Sequence, residues 1–96
     1  MKFTYIGGGS LRVLPEVRET LRHPVLAQGA EIALYDLNAE RGEAMATLLR
    51  QTPEATAAGA KVALVPDLDR ALEGADFVQV TACPWNRELY GRSGMV

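Results

Sequence analysis

Residues 1–10 read Met1-Lys2-Phe3-Thr4-Tyr5-Ile6-Gly7-Gly8-Gly9-Ser10. Phe3, Thr4, Tyr5 and Ile6 are β-branched or aromatic and run straight into three glycines. That is the pattern of a buried strand ending in a tight turn. Glycine carries no Cβ, so such a turn can take positive φ and bring its backbone close to a bulky charged group. A helical stretch follows, and its first N–H groups and positive dipole end point at the same place. Residues 7–14 are therefore a candidate site for the pyrophosphate of a dinucleotide. The G-x-G-x-x-G/A fingerprint is met only in part. Gly7 and Gly9 fill its first two places, and Arg12 stands in the third. The third glycine ordinarily permits close helix–strand packing, so the turn has to open differently here. A glycine-rich loop without a ligand is the competing reading of this stretch alone.

The residues downstream decide between the two. Leu14, Val17 and Leu21 fall on one apolar stripe, which predicts a helix from Leu14–Pro15 to Arg22. Pro15 suits its first turn, and Glu16 suits its dipole. His23-Pro24 closes that helix, and His23 reads as a surface cap rather than a catalytic group. Glu31-Ile32-Ala33-Leu34-Tyr35 predicts a second strand, ended by Asp36. An acid in that place accepts hydrogen bonds from both hydroxyls of an adenosine ribose and repels the extra phosphate of NADP. Asp36 follows Arg12 by 24 residues, close to the expected offset of about 20. Asp36-Leu37-Asn38 also makes a turn and a helix cap, and both roles are compatible.

Residues 39–51 predict a helix burying Met45, Leu48 and Leu49, weakened by Gly42 by about 1 kcal/mol relative to alanine. Pro53 interrupts it. Residues 54–59 are alanine-rich and read as a helical piece or a loop. Val62–Val65 predicts a third strand, and residues 67–74 a short helix with Asp67 as its cap and Gly74 as its stop. Residues 75–81 predict a fourth strand. Alternation of strands and helices implies right-handed crossovers and a parallel sheet. The expected fold is α/β, a Rossmann-like half with a four-stranded parallel sheet in the order 3-2-1-4 and helices on both faces. Its glycine turn lies at the switch point where ligands bind.

The whole chain sets bounds. At 96 residues it is one small domain, burying about 60% of its unfolded surface. Ten basic residues against twelve acidic ones, with no basic stripe, give no reason to expect nucleic acid or an anionic membrane as a partner. No stretch approaches the ~20 apolar residues of a membrane span. The apolar run after Lys2 is too short for a signal peptide. One cysteine, Cys83, cannot form an internal disulfide and fits a reducing cytoplasm.

Three segments together resemble a known family. They are Ile6-Gly7-Gly8-Gly9-Ser10, Leu34-Tyr35-Asp36-Leu37-Asn38-Ala39-Glu40-Arg41 and Ala71-Leu72-Glu73-Gly74-Ala75-Asp76-Phe77-Val78. They look like the N-terminal part of the family 4 glycoside hydrolases, the NAD- and Mn-dependent α-glucosidases, α-galactosidases and 6-phospho-glucosidases. These share their fold with lactate and malate dehydrogenases. The resemblance covers residues 2–82 and only the first part of a typical member.

It implies NAD as cofactor and a redox-elimination cleavage of a glycoside. In that chemistry a hydride leaves the sugar C3, a base removes the C2 proton, the aglycone is eliminated, water adds and the hydride returns. A divalent metal polarises the sugar oxygens. It also implies roles for residues here. Gly7, Gly8, Gly9 and Ser10 would face the pyrophosphate, with Leu11 and Arg12 bordering it. Asp36 would hold the adenosine ribose, and Thr81 and Ala82 would flank the adenine or the nicotinamide-side ribose.

The family's metal-binding cysteine and histidine and its catalytic base lie far downstream, so no catalytic or metal residue is expected in this chain. Cys83 is not at the position of that cysteine. Residues 1–82 are accordingly expected to form an NAD-binding domain and residues 83–96 a divergent tail, with Trp85 and Tyr90 covering apolar surface. This looks like a truncation, a shortened reading frame or an isolated cofactor half. A sugar or phosphosugar would be a partner only if the missing half completed the site. A half-sheet leaves its fourth strand uncovered, so self-association is expected. Two alternatives share the same first half: a relative of the 2-hydroxyacid dehydrogenases, and a non-catalytic NAD-binding or assembly module.

Overall fold

The structure is a computed structural model, and it describes residues 1–80. Four strands form its centre: β1 (Lys2–Ile6), β2 (Glu31–Tyr35), β3 (Lys61–Leu64) and β4 (Phe77–Val80). All pair in parallel, in the order β3-β2-β1-β4. The register sets Phe3 beside Ile32 and Phe77, Thr4 beside Ala33 and Val78, and Tyr5 beside Leu34 and Gln79. Since side chains alternate along a strand, Phe3, Tyr5, Ile32 and Leu34 share one face, and Thr4 and Ala33 the other. The sheet is thus the expected Rossmann-like one.

The first face carries the main core. It is covered by α1 (Val13–Leu21), α2 (Pro24–Ala27), α3 (Ala39–Arg50) and α4 (Pro53–Ala58). Val13, Val17 and Leu21 of α1 and Met45, Ala46 and Leu49 of α3 are buried there against the strands. Burial pushes the Tyr5 phenol above its usual value, with the nearby Glu16 charge adding to the rise and the Thr20 hydroxyl opposing it. The second face is covered by one short helix, α5 (Leu68–Leu72). The Thr4 hydroxyl donates to the Ala71 carbonyl there, and both residues are buried. Lys2 fixes the far end of α5. Its ammonium donates to the carbonyls of Arg70 (3.0 Å) and Glu73 (2.6 Å), the favourable place for a cation on a helix.

Several elements differ from expectation for local reasons. Helix α1 begins at Val13, one residue earlier than predicted, because Val13 is itself a core residue with no exposed surface. Helix α2 was not expected. Pro24 occupies its first turn after an extended His23, so the proline that closes one helix opens the next. Residues 53–58 are a helix, not a loop: the Thr52 hydroxyl caps the Ala55 amide (3.2 Å), and Gly59 ends the helix at φ +65°. Leu48 is half exposed instead of buried. The stripe of α3 runs through Gly42, Met45, Ala46 and Leu49, and Leu48 lies off that line.

One pH effect follows from this packing. Glu54 on α4 receives Arg18 at 3.1 Å and Arg22 at 3.2 Å. The Arg18 guanidinium, with the local backbone amide, holds the Glu54 carboxyl below its ordinary value of 4.5. The folded form therefore binds this proton less readily than the unfolded chain. Its contribution is full above pH 4.5 and disappears as pH falls through the lowered value. In urea unfolding followed across pH, wild type is expected to exceed Glu54→Gln at pH 7, and the gap is expected to close as pH falls below the ordinary value of 4.5. A gap that persists in acid would refute this account.

Candidate nucleotide site at the carboxyl rim

Strand β1 delivers the glycine turn to the carboxyl rim of the sheet, beside the ends of β2 and β4. Gly7 has φ +86°, a conformation costly for any side chain. The amides of Gly7 and Gly8 both donate to the Tyr35 carbonyl (2.8 and 2.9 Å), and Ser10 N–H donates to the Gly7 carbonyl (3.0 Å). These bonds close the turn against the end of β2. Gly8 is buried against that strand: a Cβ on it would come within 2.7 Å of Leu34 Cβ and 3.1 Å of Leu34 Cα. Gly8 thus lets the turn itself pack closely on β2, while the third place of the fingerprint is held by the exposed Arg12.

Asp36 lies against the same turn. One carboxylate oxygen accepts the Gly9 N–H at 2.7 Å, and the other accepts the Asn38 N–H at 2.8 Å. Asn38 in turn accepts the Arg41 N–H at 3.1 Å and caps α3. Gly9 is pinned between these groups. A Cβ on it would lie 2.8 Å from both Asp36 Oδ2 and Arg41 Cβ. Gly42 allows α3 to approach: its Cβ would stand 2.5 Å from Leu64 Cδ1 and 3.4 Å from Asp36 Cβ. The sequence places the acid and the glycines. It does not show that they bond to each other, nor that Arg41 and Gly42 complete the arrangement. The one available signal was a glycine in the second turn of an otherwise good helix.

The donors left for a ligand follow from these bonds. The amides of Gly7, Gly8, Gly9 and Ser10 are all engaged within the protein. Leu11 is exposed, and among the described residues its amide has no acceptor. The Ser10 Oγ accepts the Arg12 amide at 3.3 Å, so its hydroxyl proton is available to donate. The exposed Arg12 guanidinium pairs with no carboxylate among the described residues. Asp36 has two lone-pair positions beyond the two backbone N–H groups, enough for two sugar hydroxyls. A glycine turn, a fixed carboxylate and a helix start thus converge at the switch point of the sheet. Thr81 and Ala82 lie outside the described residues, as do Cys83, Trp85 and Tyr90. His23 lies at the opposite end of α1 from the turn. Among the described residues no three His, Cys, Asp or Glu side chains gather to hold a metal ion. No helix of the described residues is long and apolar enough to cross a membrane.

This fold defines the class: the first half of a doubly wound α/β sheet, four parallel strands with helices on both faces. The sequence model described as family 4 glycosyl hydrolase matches residues 2–88. The chain belongs to this family. The match continues past Ala82, where the resemblance was placed to end. Among solved structures, a Bacillus subtilis protein described as a glucosidase, LplD, is similar at a TM-score of 0.68 and 24% identity. The similarity covers 98% of this chain and 22% of that one, and at this identity it shows the fold. No curated protein matches the chain.

Proposed function

We propose that this chain is the NAD-binding N-terminal portion of a family 4 glycosidase. The observation that carries the proposal is the Asp36 carboxylate, held at 2.7 Å by the Gly9 amide on the carboxyl rim. It stands where the ribose next to a diphosphate on the turn would lie. The Leu11 amide, the Ser10 hydroxyl and Arg12 receive the diphosphate, aided by the N-terminal end of α1. Asp36 accepts the ribose hydroxyls. Its backbone anchors hold it facing the site, so the negative charge excludes a 2′-phosphate. When bound, NAD supplies a reversible hydride acceptor for redox-elimination cleavage of a glycoside, of the α-glucosidase or 6-phospho-glucosidase type. In the family, the metal ligands and the base belong to the portion beyond the part matched here. Residues 1–82 serve as the cofactor domain, and a reducing cytoplasm is its setting.

Calorimetric titration tests this. NAD is expected to bind, and NADP at least about tenfold more weakly, the effect of one unpaired like charge near 1.4 kcal/mol. Absence of heat with NAD would overturn the proposal. So would equal affinity for the two.

The β4 edge supports self-association. Its residues Phe77, Val78, Gln79 and Val80 are all exposed and none is charged. Such an edge pairs readily with another chain. Sedimentation is expected to show a concentration-dependent dimer, and a monomer throughout would refute it.

A further inference from the structure

We infer that Glu16 and Gln79 are positioning residues for the cofactor, a brace between α1 and β4 that sets the width of the crevice a diphosphate would enter. The inference rests on the dinucleotide reading above. Strand β4 is weakly held: all its residues are exposed and none belongs to the main core. Beyond its ladder to β1, Phe77 stacks on Phe3 with ring centroids 5.3 Å apart. Among the described residues a single side-chain hydrogen bond joins β4 to a helix, and in it the Gln79 side-chain amide donates to Glu16 Oε2. Gln79 is the ladder partner of Tyr5 on β1, and Glu16 lies in the first turn of α1. The bond therefore ties the helix that follows the glycine turn to the edge strand on the other side of the switch point.

The other Glu16 oxygen, Oε1, is buried and has no hydrogen-bond partner among the described residues. Burying a carboxylate oxygen without a donor lowers stability. A leucine there would avoid that cost. Attraction of the carboxylate to the helix dipole does not account for the burial, because that interaction is available at the surface. What a leucine cannot do is accept a hydrogen bond from Gln79. The acid thus serves the brace at the expense of stability, a conflict expected near functional sites. Arg12 lies four residues before Glu16 and Leu11 five, about one helical turn away. When the first turn of α1 tilts on the sheet, the Leu11 amide and the Arg12 guanidinium move with it. Asp36 does not, since the Gly9 and Asn38 amides hold its carboxylate. The brace therefore governs the phosphate part of the rim and leaves the ribose part alone.

The test titrates NAD and, separately, adenosine into wild type, Glu16→Leu, Gln79→Ala, the double variant and Glu16→Gln. Glu16→Leu and Gln79→Ala are each expected to bind NAD about tenfold more weakly than wild type, a coupling of ordinary size for residues in contact. The double variant is expected to be no weaker than either single one, because all three lose the same bond. Glu16→Gln keeps an acceptor for Gln79 and is expected to retain most of the affinity. Adenosine carries no phosphate and is expected to bind all the proteins alike. Glu16→Leu is expected to melt no lower than wild type, since the unpartnered oxygen is gone. Wild-type affinity for NAD in both Glu16→Leu and Gln79→Ala would overturn the brace and leave the dinucleotide reading standing. Equal losses for NAD and adenosine would assign the pair to general packing and overturn it too. Failure of wild type to bind NAD would overturn the dinucleotide reading itself.

Discussion

Gly8→Ala is expected to lower the melting midpoint by about 10–20 °C, corresponding to a loss of about 2–3 kcal/mol from overpacking in a domain of this size. The sign is informative. At an ordinary position with negative φ, replacing glycine by alanine stabilises a chain by about 0.4–1 kcal/mol, because it restricts the unfolded state. Gly8 is not among the residues with positive φ, so the backbone itself would accept alanine. The obstacle is the Leu34 backbone, 3.1 Å from the new methyl at its Cα, with Cβ at 2.7 Å. A strand held by its neighbours cannot move aside without parting β1 from β2. Gly42→Ala provides the contrast. Its new methyl meets the tip of the Leu64 side chain, which can rotate, and it gains about 1 kcal/mol of helix propensity. Its stability is expected to stay near that of wild type. Thermal melts of the three proteins decide the matter. A Gly8→Ala midpoint close to wild type would show that the turn does not depend on this approach.

Asp36→Ala is expected to weaken NAD binding by about 100-fold or more. Two hydroxyl bonds to a charged acceptor are lost, each worth about 1.5–3 kcal/mol. The same change is expected to lower stability by about 2 kcal/mol, since the amide of buried Gly9 loses its acceptor. The two effects separate experimentally: calorimetry below the melting transition reads the first, and urea unfolding without ligand reads the second. Asp36→Asn keeps one carbonyl acceptor and presents a donor at the other position. It should therefore retain part of the stability while still losing much of the affinity. If Asp36→Ala bound NAD as wild type does, the carboxylate would have no part in holding the ribose.

Much of this architecture could be read from residue patterns. The runs Phe3–Ile6 and Glu31–Tyr35 are strands because their apolar residues are continuous and end in turn formers. The order β3-β2-β1-β4 follows from alternation with helices. What stayed hidden depends on contacts between distant residues. Helix α2 is four residues long, too short to show a period. The exposure of Leu48 depends on which stripe of α3 faces the sheet, and Gly42 set that stripe by its contact with Leu64. The bond from Gly9 to Asp36 joins residues from two strands, and no local pattern reports it. The membership in family 4 was legible because its three segments cluster at the turn, at the end of β2 and around α5.

The bond between Gly9 and Asp36 also gives the molecule an internal spectroscopic probe. An amide proton held by a carboxylate at 2.7 Å is expected to resonate downfield and to exchange slowly with deuterium. Its shift would respond when a sugar hydroxyl shares that oxygen. A single nitrogen-correlated peak could then follow occupancy of the rim during titration, without any label on the nucleotide.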